Sequence, residues 1–105
     1  MERIPFGNTG LEVTRLGVGL AEIGDFDLSS DDLKTGEVLL NSALDAGINL
    51  LDTSACYGNS EEVIGKTVAH RRNEYILASK CGHVTGGYQG VEWTAETVEH
   101  SIDRS

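Results

Sequence analysis

The sequence predicts an α/β fold with parallel strands, and three observations carry that prediction. Short apolar runs alternate with longer amphipathic stretches, the order expected of strand, helix and strand in turn. The runs are apolar without a polar residue at every second place, as strands covered on both faces are. Asp52 and Lys80 fall at the carboxyl ends of two such runs and Tyr57 in the loop after the first, where α/β proteins build their sites.

Residues 3–6 and 11–14 flank Gly7-Asn8-Thr9-Gly10, strong turn chemistry, and together they predict a β-hairpin. Residues 16–20, Leu-Gly-Val-Gly-Leu, follow as the first buried strand. Their glycines do not extend into a dinucleotide fingerprint, because Glu22 stands where the third glycine is required and no helix starts at once. Glycines that let a strand end approach other backbone or a ligand are the simpler reading.

Ser29 and Asp32 have the spacing of a capping box, and Leu33, Gly36, Leu40, Ala43 and Leu44 recur on one helical face up to about Ala46. Gly47 is a helix stop. Residues 48–51 form the second strand and deliver Asp52. Ser60 is placed to cap a helix over residues 61–70, with Glu61 and Glu62 at its positive pole and His70-Arg71-Arg72 at its negative one. Residues 75–79 form the third strand and deliver Lys80. A loop with four glycines, residues 81–92, leads to Thr94 as the cap of a last helix. That helix runs to Ser105 without a stop signal, which leads to the expectation that residues 1–105 are one partial domain at the front of a longer chain.

The bulk numbers exclude several classes. The 105 residues carry a net charge of −9, and no basic face gathers beyond Arg71-Arg72, so no nucleic-acid partner is expected. No apolar run approaches the ~20 residues that span a bilayer, and no signal peptide is evident, so no membrane association is expected. Two cysteines, Cys56 and Cys81, read as reduced thiols of a cytoplasmic protein.

A phenol is a weak acid at neutral pH, and an adjacent ammonium favours its ionised form. A carboxylate beside that ammonium orients it and keeps it charged. Tyr57, Lys80 and Asp52 could thus act together as a general acid toward a carbonyl oxygen. Asp52 and Lys80 could instead be a structural ion pair with Tyr57 as packing, and the residue types alone favour that reading.

The full spacing Asp52-Thr53-Ser54-x-x-Tyr57-Gly58-x-Ser60-Glu61-x-x-Ile64-Gly65, followed by Ala78-Ser79-Lys80, resembles the aldo-keto reductase family. The opening Leu11-Glu12-Val13-Thr14-Arg15-Leu16-Gly17, running into Gly19, resembles the start of that family too. The resemblance implies the N-terminal part of a (β/α)8 TIM barrel, here incomplete: a β-hairpin, then β-α-β-α-β-α with parallel strands. It implies a nicotinamide cofactor, NADPH rather than NADH, and a small-molecule carbonyl substrate reduced to an alcohol. Tyr57 would be the proton donor, Lys80 the ammonium that acidifies it, and Asp52 the partner of the lysine. Nicotinamide-side contacts would come from Gly19, Leu20, Ala21 and Asp52. At Leu20 and Ala21 the polar or aromatic residues often found in the family are absent, so contacts there would be backbone or van der Waals. The family's fourth catalytic residue, a histidine on the fourth strand, would lie beyond Ser105, and 105 residues alone are expected to be inactive. A cofactor-binding or regulatory subunit with the same fold is the alternative.

The remaining candidates are weaker. His83 shares a rim with Lys80 but has no reason of geometry to be the missing histidine. Cys56, Cys81 and His83 lack zinc-site spacing, so no metal is expected. Tyr88 and Trp93 could shape a substrate pocket or pack the glycine-rich loop onto the last helix. His100 reads as a plain surface residue.

Overall fold

The computed structural model describes all residues, Met1–Ser105. Strands β1 (Arg3–Pro5) and β2 (Glu12–Thr14) pair antiparallel as the expected hairpin, with Ile4 opposite Val13. A second sheet holds β3 (Val18–Gly19), β4 (Leu50–Asp52) and β5 (Ile76–Ala78), parallel and in that order. Gly19 lies beside Asp52 and Asp52 beside Ala78 in the register. Helices α1 (Asp32–Asp45), α2 (Ser60–Val68) and α3 (Ala95–Arg104) follow the three strands in turn.

The strands are shorter than the apolar runs that announce them, for reasons visible in the backbone. The Ile48 N–H bonds Ala43 O at the end of α1, so that residue closes a helix instead of opening the ladder. Gly47, at φ +94°, supplies the left-handed turn that makes this closure possible. Leu16, expected in a buried strand, is 58% exposed, because β3 pairs on one side only and starts two residues later.

Asn49 ties the hairpin to the sheet. Its Oδ1 accepts from Thr14 N at 2.7 Å, its Nδ2 donates to Glu12 O at 2.9 Å, and its own N–H donates to Thr14 Oγ1. The side chain is buried, and every polar atom it owns has a partner, which is the condition for burying an amide.

The core gathers Leu20, Ile23, Leu40, Leu44, Leu51, Val63, Ile64, Val68 and Tyr75 between the sheet and helices α1 and α2. The capping box does not form. Asp31 occupies the cap position of α1 without a side-chain bond, and the Asp32 carboxylate instead accepts from Asp27 N. Asp27 in turn accepts from the N–H and hydroxyl of Ser29, which holds its carboxyl below the usual range. Short polar side chains here close a turn, in competition with capping.

Helix α2 ends at Val68, earlier than the 61–70 span predicts, and continues as a 3-10 stretch over Ala69–Glu74. Arg71 accounts for the change: its guanidinium pairs with Asp45 at 2.9 Å and Glu74 at 2.8 Å and donates to Asn41 Oδ1. The basic end of the helix is thereby a clamp onto α1 more than a complement to a dipole. Helix α3 is capped by Thr94 as expected, its Oγ1 accepting from Thr97 N.

Candidate active site

Asp52 leaves the end of β4 between two neighbours, and Lys80 lies two residues beyond β5, so parallel register brings both to one rim. Lys80 Nζ donates to Asp52 Oδ1 at 2.9 Å and to Thr53 O at 2.8 Å. The same ammonium sits 5.1 Å from the centre of the Tyr57 ring. Three residues spread over the chain are therefore one cluster. The hydrogen bond to Asp52 raises the Lys80 pKa above the ordinary lysine value, so the group stays cationic throughout the neutral range. Asp52 and Lys80 are about half exposed, and an ion pair so placed contributes little to stability. The pair orients charge toward a phenol.

The loop that carries Tyr57 is held from several sides. Tyr57 N–H donates to Ser54 O and Tyr57 O accepts from Ser60 N. Ser60 is not the cap of α2, as its position suggests; Asn59 takes that place, and Ser60 is the first helical residue. The Ser60 hydroxyl donates to Leu20 O at 2.7 Å and meets Thr53 Oγ1 at 2.6 Å. This buried chain of hydroxyls joins the ends of β3 and β4 to the start of α2. Asn59 Nδ2 reaches Phe26 O at 2.8 Å, and Asn59 N–H donates to Gly24 O at 2.9 Å. The segment Glu22–Asp25 is a 3-10 turn, which no local pattern in the sequence announces.

Gly19, Leu20 and Ala21, together with Ile23, Leu39, Asp52 and Tyr57, line a pocket of about 440 Å³. Leu20 belongs to its framework: the side chain is buried in the core, its N–H donates to Asp52 O and its carbonyl accepts from Ser60. Gly19 and Ala21 are exposed and present little beyond backbone to the pocket.

The weaker candidates lie in the 81–92 loop. His83 Nδ1 hydrogen-bonds Glu92, and its ring packs edge-on to Trp93, with 4.6 Å between centroids. Trp93 is 68% exposed. Tyr88 stacks on His100 at 4.0 Å, so Tyr88 packs the loop onto α3, and His100 is half-buried rather than a plain surface residue. Cys56 and Cys81 are free and exposed. Sequence reasoning missed Thr53 as a partner of Ser60, and Gly24 and Asn59 as holders of the Tyr57 loop; Thr53 stands inside the quoted motif and Asn59 at one of its unspecified places, while nothing local marks Gly24.

The sequence model of the aldo/keto reductase family matches residues 15–105. The chain belongs to that family. Among its relatives, the aldo-keto reductase YhdN of Bacillus subtilis is 39% identical over 84 residues, covering 76% of this chain and 25% of its own. The L-galactose dehydrogenase of Arabidopsis thaliana is 37% identical over 106 residues, covering 94% of this chain and 31% of its own. The NADH-specific methylglyoxal reductase of Escherichia coli is 34% identical over 90 residues, covering 80% and 27%. A crystal structure from Pseudomonas aeruginosa, of a protein assigned to the aldo-keto reductases, superimposes with a TM-score of 0.81 at 34% identity, covering 97% of this chain and 40% of its own. The chain thus spans a quarter to two fifths of the lengths it matches. Its hairpin and three parallel β/α units correspond to part of an aldo-keto reductase TIM barrel, and its sheet is open. No helix is long and apolar enough to cross a membrane.

Proposed function

We propose that this chain supplies the first β/α units, and three active-site groups, of an NAD(P)H-dependent reductase that converts aldehydes or ketones to alcohols. The observation that carries the reading is the placement of one ammonium, Lys80 Nζ, between the Asp52 carboxylate and the Tyr57 ring at the carboxyl rim of the sheet.

A nicotinamide ring suits the pocket beside this cluster: its wall is mostly apolar, and Gly19 and Ala21 leave room for a flat ring to approach backbone. The dinucleotide, when bound, supplies the hydride for the carbonyl carbon. Tyr57 donates its phenolic proton to the carbonyl oxygen as negative charge gathers there. Lys80 stabilises the charge left on the phenol oxygen, and Asp52 with Thr53 O holds Lys80 in place. Asp52 also flanks Gly19 in the register and so borders the pocket from the other side. NADPH is the donor we assign, on the family resemblance. The NADH-specific Escherichia coli relative makes a comparison of the two donors the first measurement. A reducing compartment such as the cytoplasm suits the two free thiols.

The test uses a complete barrel that contains these residues. Tyr57→Phe is expected to abolish carbonyl reduction while leaving nicotinamide binding nearly intact, since the phenol acts only as charge develops. Single-turnover hydride transfer with prebound NADPH separates the step from binding. A folded Tyr57→Phe protein with near wild-type rates would overturn the proposal in favour of a cofactor-binding or regulatory subunit.

A further inference from the structure

We infer that Gly24, remote in sequence from the motif that contains Tyr57, is a positioning residue for Tyr57, because the backbones of the two segments interlock without room for a side chain on either. A Cβ built on Gly24 would stand 2.7 Å from the carbonyl carbon of Tyr57 and against its carbonyl oxygen. A Cβ on Gly58 would press in return on the carbonyl group of Gly24, and Gly58 has φ +51°, a conformation natural to glycine. Asn59 staples the contact twice. Asn59 N–H donates to Gly24 O at 2.9 Å, and Asn59 Nδ2 donates to Phe26 O at 2.8 Å. The 3-10 turn at Glu22–Asp25 is also a wall of the pocket through Glu22 and Ile23, so one joint locates the pocket wall and the tyrosine relative to each other.

The inference rests on the reading of Tyr57 as proton donor. A Cβ at Gly24 must push the 57–58 backbone away, and a displacement of about 1 Å at a reacting group costs on the order of a hundredfold in rate. The loss falls on the chemical step, because the displaced group is the acid.

The experiment compares five variants of the complete barrel, Tyr57→Phe among them. Gly24→Ala is expected to lower kcat about ten- to a hundredfold, with KM for the carbonyl and Kd for NADPH within about twofold of wild type. Gly36→Ala is the control for destabilisation alone: its Cβ would meet Val63 Cγ1 at 2.8 Å and only touch the Phe26 ring at 3.5 Å, in the contact between α1 and α2, with no nearer neighbour in the Tyr57 backbone. It is expected to lower Tm while keeping kcat. Asn59→Ala removes the staple to Phe26 without adding bulk and is expected to lower kcat severalfold; it decides the matter if Gly24→Ala does not fold. The double variant Gly24→Ala/Tyr57→Phe is expected to be no slower than Tyr57→Phe. Equal kcat losses in Gly24→Ala and a Gly36→Ala of matched Tm would overturn the inference, as would additive losses in the double variant. A folded Tyr57→Phe enzyme that turns over at near wild-type rates would instead overturn the function on which the inference rests, whereas its residual turnover is the baseline for the double variant.

Discussion

At the scale of single residues, the proposed chemistry turns on how one ammonium is shared. Lys80 has two acceptors, Asp52 Oδ1 and Thr53 O, and one aromatic neighbour, Tyr57. Lys80→Met removes the charge and is expected to lower kcat about as severely as loss of the phenol, because an unassisted phenol is a weak acid near neutral pH. Asp52→Asn keeps the shape and a weaker acceptor, so its effect is expected to be smaller and to include weaker nicotinamide binding. The comparison is made by single-turnover rates and cofactor titration on the same preparations. A folded pKa above the ordinary lysine value means that the stabilisation by this pair is fully present below about pH 10.5 and is lost only as pH rises through the folded value. An Nζ titration of Lys80 by NMR should therefore fall on the alkaline side of a free lysine, and return toward it in Asp52→Asn.

At the scale of elements, two clamps hold the pieces that the sheet alone leaves loose. Asn49 joins the hairpin to β4 through buried bonds, and replacing it by leucine strands the Thr14 N–H and the Glu12 carbonyl. We expect a loss of about 1–3 kcal/mol, the cost of a buried polar group left unpaired, with faster hydrogen exchange over residues 12–14. Arg71 joins the 3-10 stretch to α1 and depresses the pKa of Glu74 through a direct hydrogen bond. A depressed carboxylate contributes stability above its unfolded pKa, and that contribution is lost as pH falls through the folded value. Acid melting below about pH 4.5 should accordingly be less steep in Arg71→Gln than in wild type, a result read from Tm against pH.

At the scale of the whole molecule, the structure is a slab, 42 × 40 × 20 Å, with a radius of gyration of 14.6 Å. A compact domain of this length would measure about 13 Å. Its sheet has two unpaired edges, β3 and β5, and Leu16, Leu39, Val91, Trp93 and Ile102 are exposed. Open edges and apolar surface of this kind invite association. Residues 1–105 expressed alone are expected to elute as oligomers, to bind a hydrophobic dye, and to reduce no carbonyl. A monomer with a cooperative melt and measurable turnover would contradict this.

What the sequence by itself determined is local or carried by dense spacing. Strand and helix order follow from the period of apolar residues, the hairpin from Gly7-Asn8-Thr9-Gly10, and the cluster of Asp52, Tyr57 and Lys80 from their places at parallel strand ends. What only the tertiary structure decided are contacts between segments that no local rule couples. Ser60 reads as a cap and is instead spent on Leu20 O, 40 residues away. Asn49 reads as part of an apolar run and is instead the tie to a hairpin 35 residues earlier. Gly24 reads as loop and is instead pressed against the backbone of Tyr57. Propensity and periodicity record what each segment does alone, whereas a polar group or a glycine finds its role in whichever backbone the fold packs against it.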